Sequence, residues 1–105
     1  MFIINLTYLK DLSEVDKHLE SHRRFLDQYY TANIFLASGP KNPRDGGIII
    51  ALEKDREQLM AILRQDPFYQ QGIAHYELIE FTPVKYHSAL AALISNGTID
   101  HEQLS

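Results

Sequence analysis

The sequence predicts an α+β fold, a ferredoxin-like βαββαβ sandwich in which two helices cover one face of an antiparallel sheet. Two observations carry it. Four stretches rich in β-branched and aromatic residues are interleaved, in the order βαββαβ, with two stretches whose apolar residues recur at helical spacing. The strands are also too apolar for a sheet with one wet face, which alternates apolar with polar residues. Ile48-Ile49-Ile50-Ala51-Leu52 is apolar throughout, and the second strand carries Ile34 and Leu36 on one face with Phe35 and Ala37 on the other. Two helices cover a single face. A second copy of the chain is therefore expected to cover the other, sheet against sheet, as a homodimer or a higher oligomer built from it.

Residues 2–8 read as the first strand. Ser13-Glu14-Val15-Asp16 has the Ser-x-x-acid form of a helix start. From there Val15, Leu19, His22, Leu26 and Tyr29 form one helical stripe, apolar except at His22, while Lys17, Glu20, Arg24 and Asp27 fall mostly off it. Residues 34–37 are the second strand, ending at Ser38-Gly39-Pro40, and a polar loop leads to Gly46-Gly47 and the third strand. Asp55 is placed to cap a second helix with Leu59, Met60, Ile62 and Leu63 on its inner face. That helix must stop before Asp66-Pro67, because proline removes a backbone donor and pushes the preceding residue out of the α region. A fourth, long strand is expected from residue 74 to about 85. One domain is expected over residues 1–86. Residues 87–105 form a tail with a short apolar patch at 89–94 and a polar end from Ser95 that is expected to fray.

A chain of 105 residues, 45% hydrophobic and 23% charged, has the size and balance of one globular domain. Its net charge of −4 argues against an electrostatic grip on nucleic acid or on an anionic membrane. RNA-recognition modules share the strand order, but they need stacking aromatics where this chain has Ile48, Ile49 and Ile50. There is no apolar run of membrane-spanning length and no signal-peptide pattern at Met1-Phe2-Ile3-Ile4-Asn5, so a cytoplasmic location is expected. The absence of cysteine excludes disulfides, thiolate ligands and a cysteine nucleophile.

Three places can carry chemistry. Imidazole titrates near neutrality, so His22 suits proton transfer; it is equally a core histidine whose nitrogens find partners. Left unpartnered at the centre of an apolar stripe, it would cost about 1–3 kcal/mol, and Asp66, at the end of the other helix, is available as a carboxylate partner. Asp66 itself reads either as that partner or as a local turn-former before Pro67, followed by the aromatic pair Phe68 and Tyr69. Ser38-Gly39-Pro40 reads as a turn, or as a place where backbone and a hydroxyl approach a ligand. His18 and His22, one helical turn apart, match two metal ligands but lack a third, so no metal is expected. Gly46-Gly47 has no phosphate-loop context and reads as a turn or bulge. Arg44 reads more simply as a solvated charge than as an anion site.

Taken in order, His22 with Phe25-Leu26, Ser38-Gly39-Pro40, Gly46-Gly47 and Asp66-Pro67-Phe68 resemble the signature of the YciI-like (YCII-related) family of small proteins, from the first strand to about residue 86. The resemblance implies a dimeric α/β barrel, similar in fold to muconolactone isomerases. It also implies a histidine–aspartate pair lining a cleft near the dimer interface, mapping onto His22 and Asp66, with Ser38 in the segment bordering it. One branch of the family eliminates halide from a chlorinated hydroxyquinone, so the scaffold supports proton-transfer chemistry. The expected function is thus a small cofactor-independent lyase or isomerase acting on a small organic substrate. In it His22 is the acid or base, Asp66 orients the ring, and Ser38, Gly39, Pro40 and Phe68 contact the substrate. The alternative is a non-catalytic module of the same fold that holds a small metabolite in that cleft. A reactive His22 that reaches the cleft separates the two.

Overall fold

The computed structural model describes residues 1–97. Its frame is an antiparallel sheet of four strands, β1 (Phe2–Tyr8), β2 (Phe35–Pro40), β3 (Gly46–Ala51) and β4 (Ala74–Glu80), in the spatial order β2-β3-β1-β4. Alternation along β1 sends Phe2, Ile4 and Leu6 to one face, where the cross-strand register sets Ile49 opposite Ile4 and Tyr76 opposite Leu6. Helices α1 (Leu12–Lys17), α2 (Leu19–Thr31), α3 (Arg56–Leu63) and α4 (Pro67–Gln70) close over that face, contributing Val15, Phe25, Leu26, Leu59, Leu63 and Phe68 to a single core. This is the ferredoxin-like α+β architecture that the element order predicts.

The helical stripe is broken where a continuous helix is expected. At His18 the backbone leaves the helical region (φ −109°, ψ 3°), and its N–H bonds to the Val15 carbonyl at 3.1 Å instead of continuing the α ladder. The start is also two residues earlier than Ser13: Asp11 caps α1 by accepting from the Glu14 N–H at 3.1 Å, and the Ser13 hydroxyl merely donates to Asp11 at 2.6 Å. An ionised carboxylate interacts with the helix N-terminus more favourably than a hydroxyl does. Asp55 caps α3 as expected, accepting from Glu57 N–H at 2.9 Å. Pro67 does not only end a helix; it opens the next one as its first residue, where a missing N–H costs nothing.

The strands differ from expectation at their ends. Ser38-Gly39-Pro40 lies inside β2, and Gly46-Gly47 opens β3, so neither is a turn. β4 stops at Glu80; Phe81 N–H makes a last bond to Met1 O at 2.9 Å, and Pro83 has no donor with which to continue. Gly72 follows α4 at φ +64°, with Ile73 N–H returning to Phe68 O at 2.9 Å as in a helix-terminating αL turn. Nothing lies within 4 Å of a Cβ placed there, so the strain in Gly72→Ala is torsional alone. That variant is expected to lose about 1 kcal/mol, seen as a lower denaturation midpoint with an unchanged slope.

The second face of the sheet carries Ile3, Ile50 and Ile79 in register. Part of it is covered by the chain itself. A turn of 3-10 helix (Ser88–Leu90) and α5 (Ala91–Gly97) bring Leu90, Leu93 and Ile94 against Leu36, Ile50, Leu52 and Met1 as a small second core. Toward the other end the face turns polar, with Asn5, Thr7, His75 and Glu77. The backbone of residues 95–97 belongs to α5, and the rest of the polar end expected to fray lies outside the described residues.

Candidate active site

A cavity of about 570 Å³ opens between α2 and the sheet, a volume that suits a small organic molecule. Its floor is apolar, from Leu6 and Ile49. One wall is α2, which presents His22, Leu26 and Tyr30 at successive turns, and the other is β2 with Ser38, Gly39 and Pro40. Phe68, at the start of α4, closes the inner end. Asp66 does not line the cavity; it lies fully buried behind His22.

His22 is held on three sides. Its Nδ1 lies 2.8 Å from Asp66 Oδ1. Its ring stacks on Phe68 with centroids 4.0 Å apart and planes 2° from parallel, and Phe25 is a second ring neighbour at 6.4 Å. Asp66 is in place because it caps α4, accepting the Phe68 N–H at 2.9 Å, and because Pro67 fixes the extended backbone before it (ψ 126°). Its other oxygen accepts the Tyr76 hydroxyl at 2.5 Å. A buried carboxylate costs several kcal/mol unless its lone pairs are engaged, and here three donors engage them. Burial, then the Asp66 charge, pushes the Tyr76 phenol well above its ordinary range, so it remains a donor.

This arrangement dictates a tautomer. A carboxylate only accepts, so in the neutral ring the proton sits on Nδ1 and the lone pair on Nε2. Among the described residues no buried side-chain nitrogen or oxygen lacks a partner, and Nε2 has none, so it opens to the cavity. Across the cavity lining the Tyr30 hydroxyl and Ser38 Oγ are 2.5 Å apart. Whichever donates, the other's proton is left to point at a bound oxygen. Tyr8 meets the Phe68 ring edge-on at 6.1 Å.

Of the residues singled out in the sequence, His22, Ser38, Gly39, Pro40 and Phe68 share one cavity. Arg44 also reaches its rim, but its charge is matched by Asp16 Oδ1 at 2.7 Å. His18 is half-buried at the helix break, and among the described residues no three His, Asp or Glu side chains are grouped to hold a metal ion. Tyr30, Tyr76 and Arg23 were not legible as site residues. Tyr30 had a signal: it continues the spacing of His22 and Leu26, whereas the stripe drawn through Tyr29 runs toward Phe25 and Phe35. Tyr76 had a weaker one, the period-2 alternation that turns it inward on β4.

The sequence pattern of the YCII-related domain matches residues 1–82. No curated protein matches the chain. One similar solved structure is 5-chloro-2-hydroxyhydroquinone dehydrochlorinase from Burkholderia phenoliruptrix, in complex with 2,5-dihydroxybenzoquinone. It superposes with a TM-score of 0.68 at 14% identity, over 84% of this chain and 96% of that one. At that identity the likeness establishes a shared fold. Among the described residues, no helix is long and apolar enough to cross a membrane.

Proposed function

This chain belongs to the YCII-related family, and from that premise and the cavity described above we propose that it is a small lyase or isomerase using His22 and Asp66 for proton transfer. The observation that carries this reading is the unbonded Nε2 of His22, facing the cavity while Nδ1 is held by a buried carboxylate. Nε2 takes a proton from a carbon beside a carbonyl, and Asp66 stabilises the imidazolium that forms. The electron pair of the broken C–H bond moves toward the carbonyl oxygen, which gains negative charge and accepts a hydrogen bond from the Ser38–Tyr30 hydroxyl pair. From that enolate, a lyase expels a leaving group with its electron pair, and an isomerase returns the proton from Nε2 to another carbon. The mostly apolar cavity, with Phe68 and Ile49 among its lining residues, has room for a small ring. A structural relative that binds a dihydroxybenzoquinone supports that size.

The test is a panel of lactones, hydroxyquinones and small keto acids in D₂O, read by NMR for product and for exchange of C–H for C–D. Deuterium incorporation or turnover by the wild-type protein is expected. Tight binding of panel members with neither would favour a metabolite-holding module.

The assembly belongs to the same reading. Ile79 and Phe81 remain 48% and 41% exposed on and beside the second face, with Ile3 opposite Ile79. Residues 86–94 cover only one end of that face. A homodimer is expected there, burying about 800 Å² per partner. Light scattering at micromolar concentration checks it; a monomer mass would remove the dimer from the account.

A further inference from the structure

Tyr76 has no part in the chemistry proposed above, yet it is built into the same buried network. β4 places it opposite Leu6, on the face covered by the helices, and its ring is held edge-on by Tyr69 at 5.5 Å. From there its hydroxyl reaches Asp66 Oδ2, while Oδ1 is shared by the Phe68 N–H and His22 Nδ1. Among the described residues His22 is the one side chain that can set a positive charge against Asp66, and it does so only when its ring is protonated. The remaining compensation for that carboxylate comes from two neutral donors, and only Tyr76 is a side chain.

We infer that Tyr76 is a positioning residue, whose hydroxyl holds Asp66 ionised and aimed at Nδ1 and thereby sets the proton affinity of His22. The inference rests on the proton-transfer reading of this site for its biological meaning, but not for its test. The sign follows from electrostatics. Removing the hydroxyl takes a donor from the carboxylate, so its negative charge is less stabilised and the Asp66–His22 pair binds its shared proton more tightly. The pair's apparent pKa therefore rises, and His22 becomes a free base only at higher pH. Other charged groups line the same cavity: Asp16 on α1, bonded to Arg44 of the β2–β3 loop, and Arg23 and Asp27 on α2. Tyr8 on β1 and Tyr30 on α2 are the further titratable groups there. None of these touches Asp66, and a change at Tyr76 leaves all of them in place.

The experiment needs no substrate. His22 imidazole resonances are followed by NMR across pH in wild type and in Tyr76→Phe, which keeps the ring and deletes one oxygen. An upward shift of about 0.5–1 unit in the His22 titration is expected, as fits a hydrogen bond of ordinary net strength. A Tyr76→Phe titration that superposes on wild type, with or without lost stability, leaves Tyr76 as packing only and overturns the inference. If Tyr76→Phe does not fold, the wild-type hydroxyl proton of Tyr76 decides. It is expected to exchange slowly with solvent and to shift as His22 titrates; free exchange or an unresponsive resonance overturns the inference. Failure of this coupling is distinguishable from failure of the enzyme reading. An active wild type with an unshifted Tyr76→Phe loses only the inference, whereas a shifted variant of a protein that turns over nothing supports it and removes the enzyme.

Discussion

His22→Gln is expected to fold and to lose about 10²–10⁴-fold in turnover, the range a proton-transfer residue contributes. The fold should survive because glutamine still offers an N–H to Asp66 and still packs flat against Phe68, which now stacks on the imidazole at 4.0 Å. What it lacks is a second nitrogen with a titratable lone pair directed into the cavity. Asp66→Asn is expected to fail in the same way for a different reason. Asparagine caps a helix as well as aspartate does, so the bond from Phe68 N–H is kept. The negative charge behind His22 is gone, and the imidazolium loses its stabilisation. Because the two groups act as a unit, the double variant should be little worse than either single one. The comparison is kcat/KM on whichever panel substrate the wild type converts, with circular dichroism confirming folded protein. Equal turnover by wild type and His22→Gln would end the acid–base assignment.

How much of this was legible beforehand divides along a physical line. Helix faces and strand runs follow from residue period, so the strand order, the inward face of α3 and the burial of Val15 and Leu26 were readable. The approach of His22 and Asp66 was also readable in outline, because a polar ring in an apolar stripe needs a partner and few carboxylates were placed to supply one. Two kinds of feature were not. The break at His18 has no proline or glycine to announce it. Cross-strand distances are likewise invisible to local reading. Gly46-Gly47 and Ser38-Gly39-Pro40 carry turn residues, yet both lie in strands; at Gly46 it is the neighbouring Leu6 carbonyl, and not chain reversal, that requires a residue without a side chain. Tyr76 reaches Asp66 only through the β1–β4 register, which sequence patterning does not number.

The close approach of backbone at Gly46 gives the largest expected effect on stability. Gly46 opens β3 beside β1 so closely that a Cβ built on it falls 1.7 Å from the Leu6 carbonyl oxygen and 2.7 Å from its carbon. Lys41 Cε, at 2.9 Å, is a flexible end that can swing away; the Leu6 carbonyl cannot, because Leu6 lies between β3 and β4 in the middle of the sheet. The approach is locked from both sides: Gly46 O accepts Lys41 N–H at 2.9 Å, and Asp45 O accepts Tyr8 N–H at 2.8 Å. Gly46→Ala must therefore part β1 from β3, and a loss of about 4 kcal/mol or more is expected, at the upper end for single substitutions. In a domain of this size that lowers the melting temperature by roughly 15 °C or more. Because Leu6 and Ile49 floor the cavity, ligand binding should fall with it. Gly39→Ala is the control. It lies in the adjacent pair, β2–β3, and borders the same cavity, but nothing stands within 4 Å of its added Cβ. Its stability is expected to stay within about 0.5 kcal/mol of wild type. Thermal melts of the two variants side by side check the argument, and a Gly46→Ala protein as stable as Gly39→Ala would mean that β1 and β3 do not run this close.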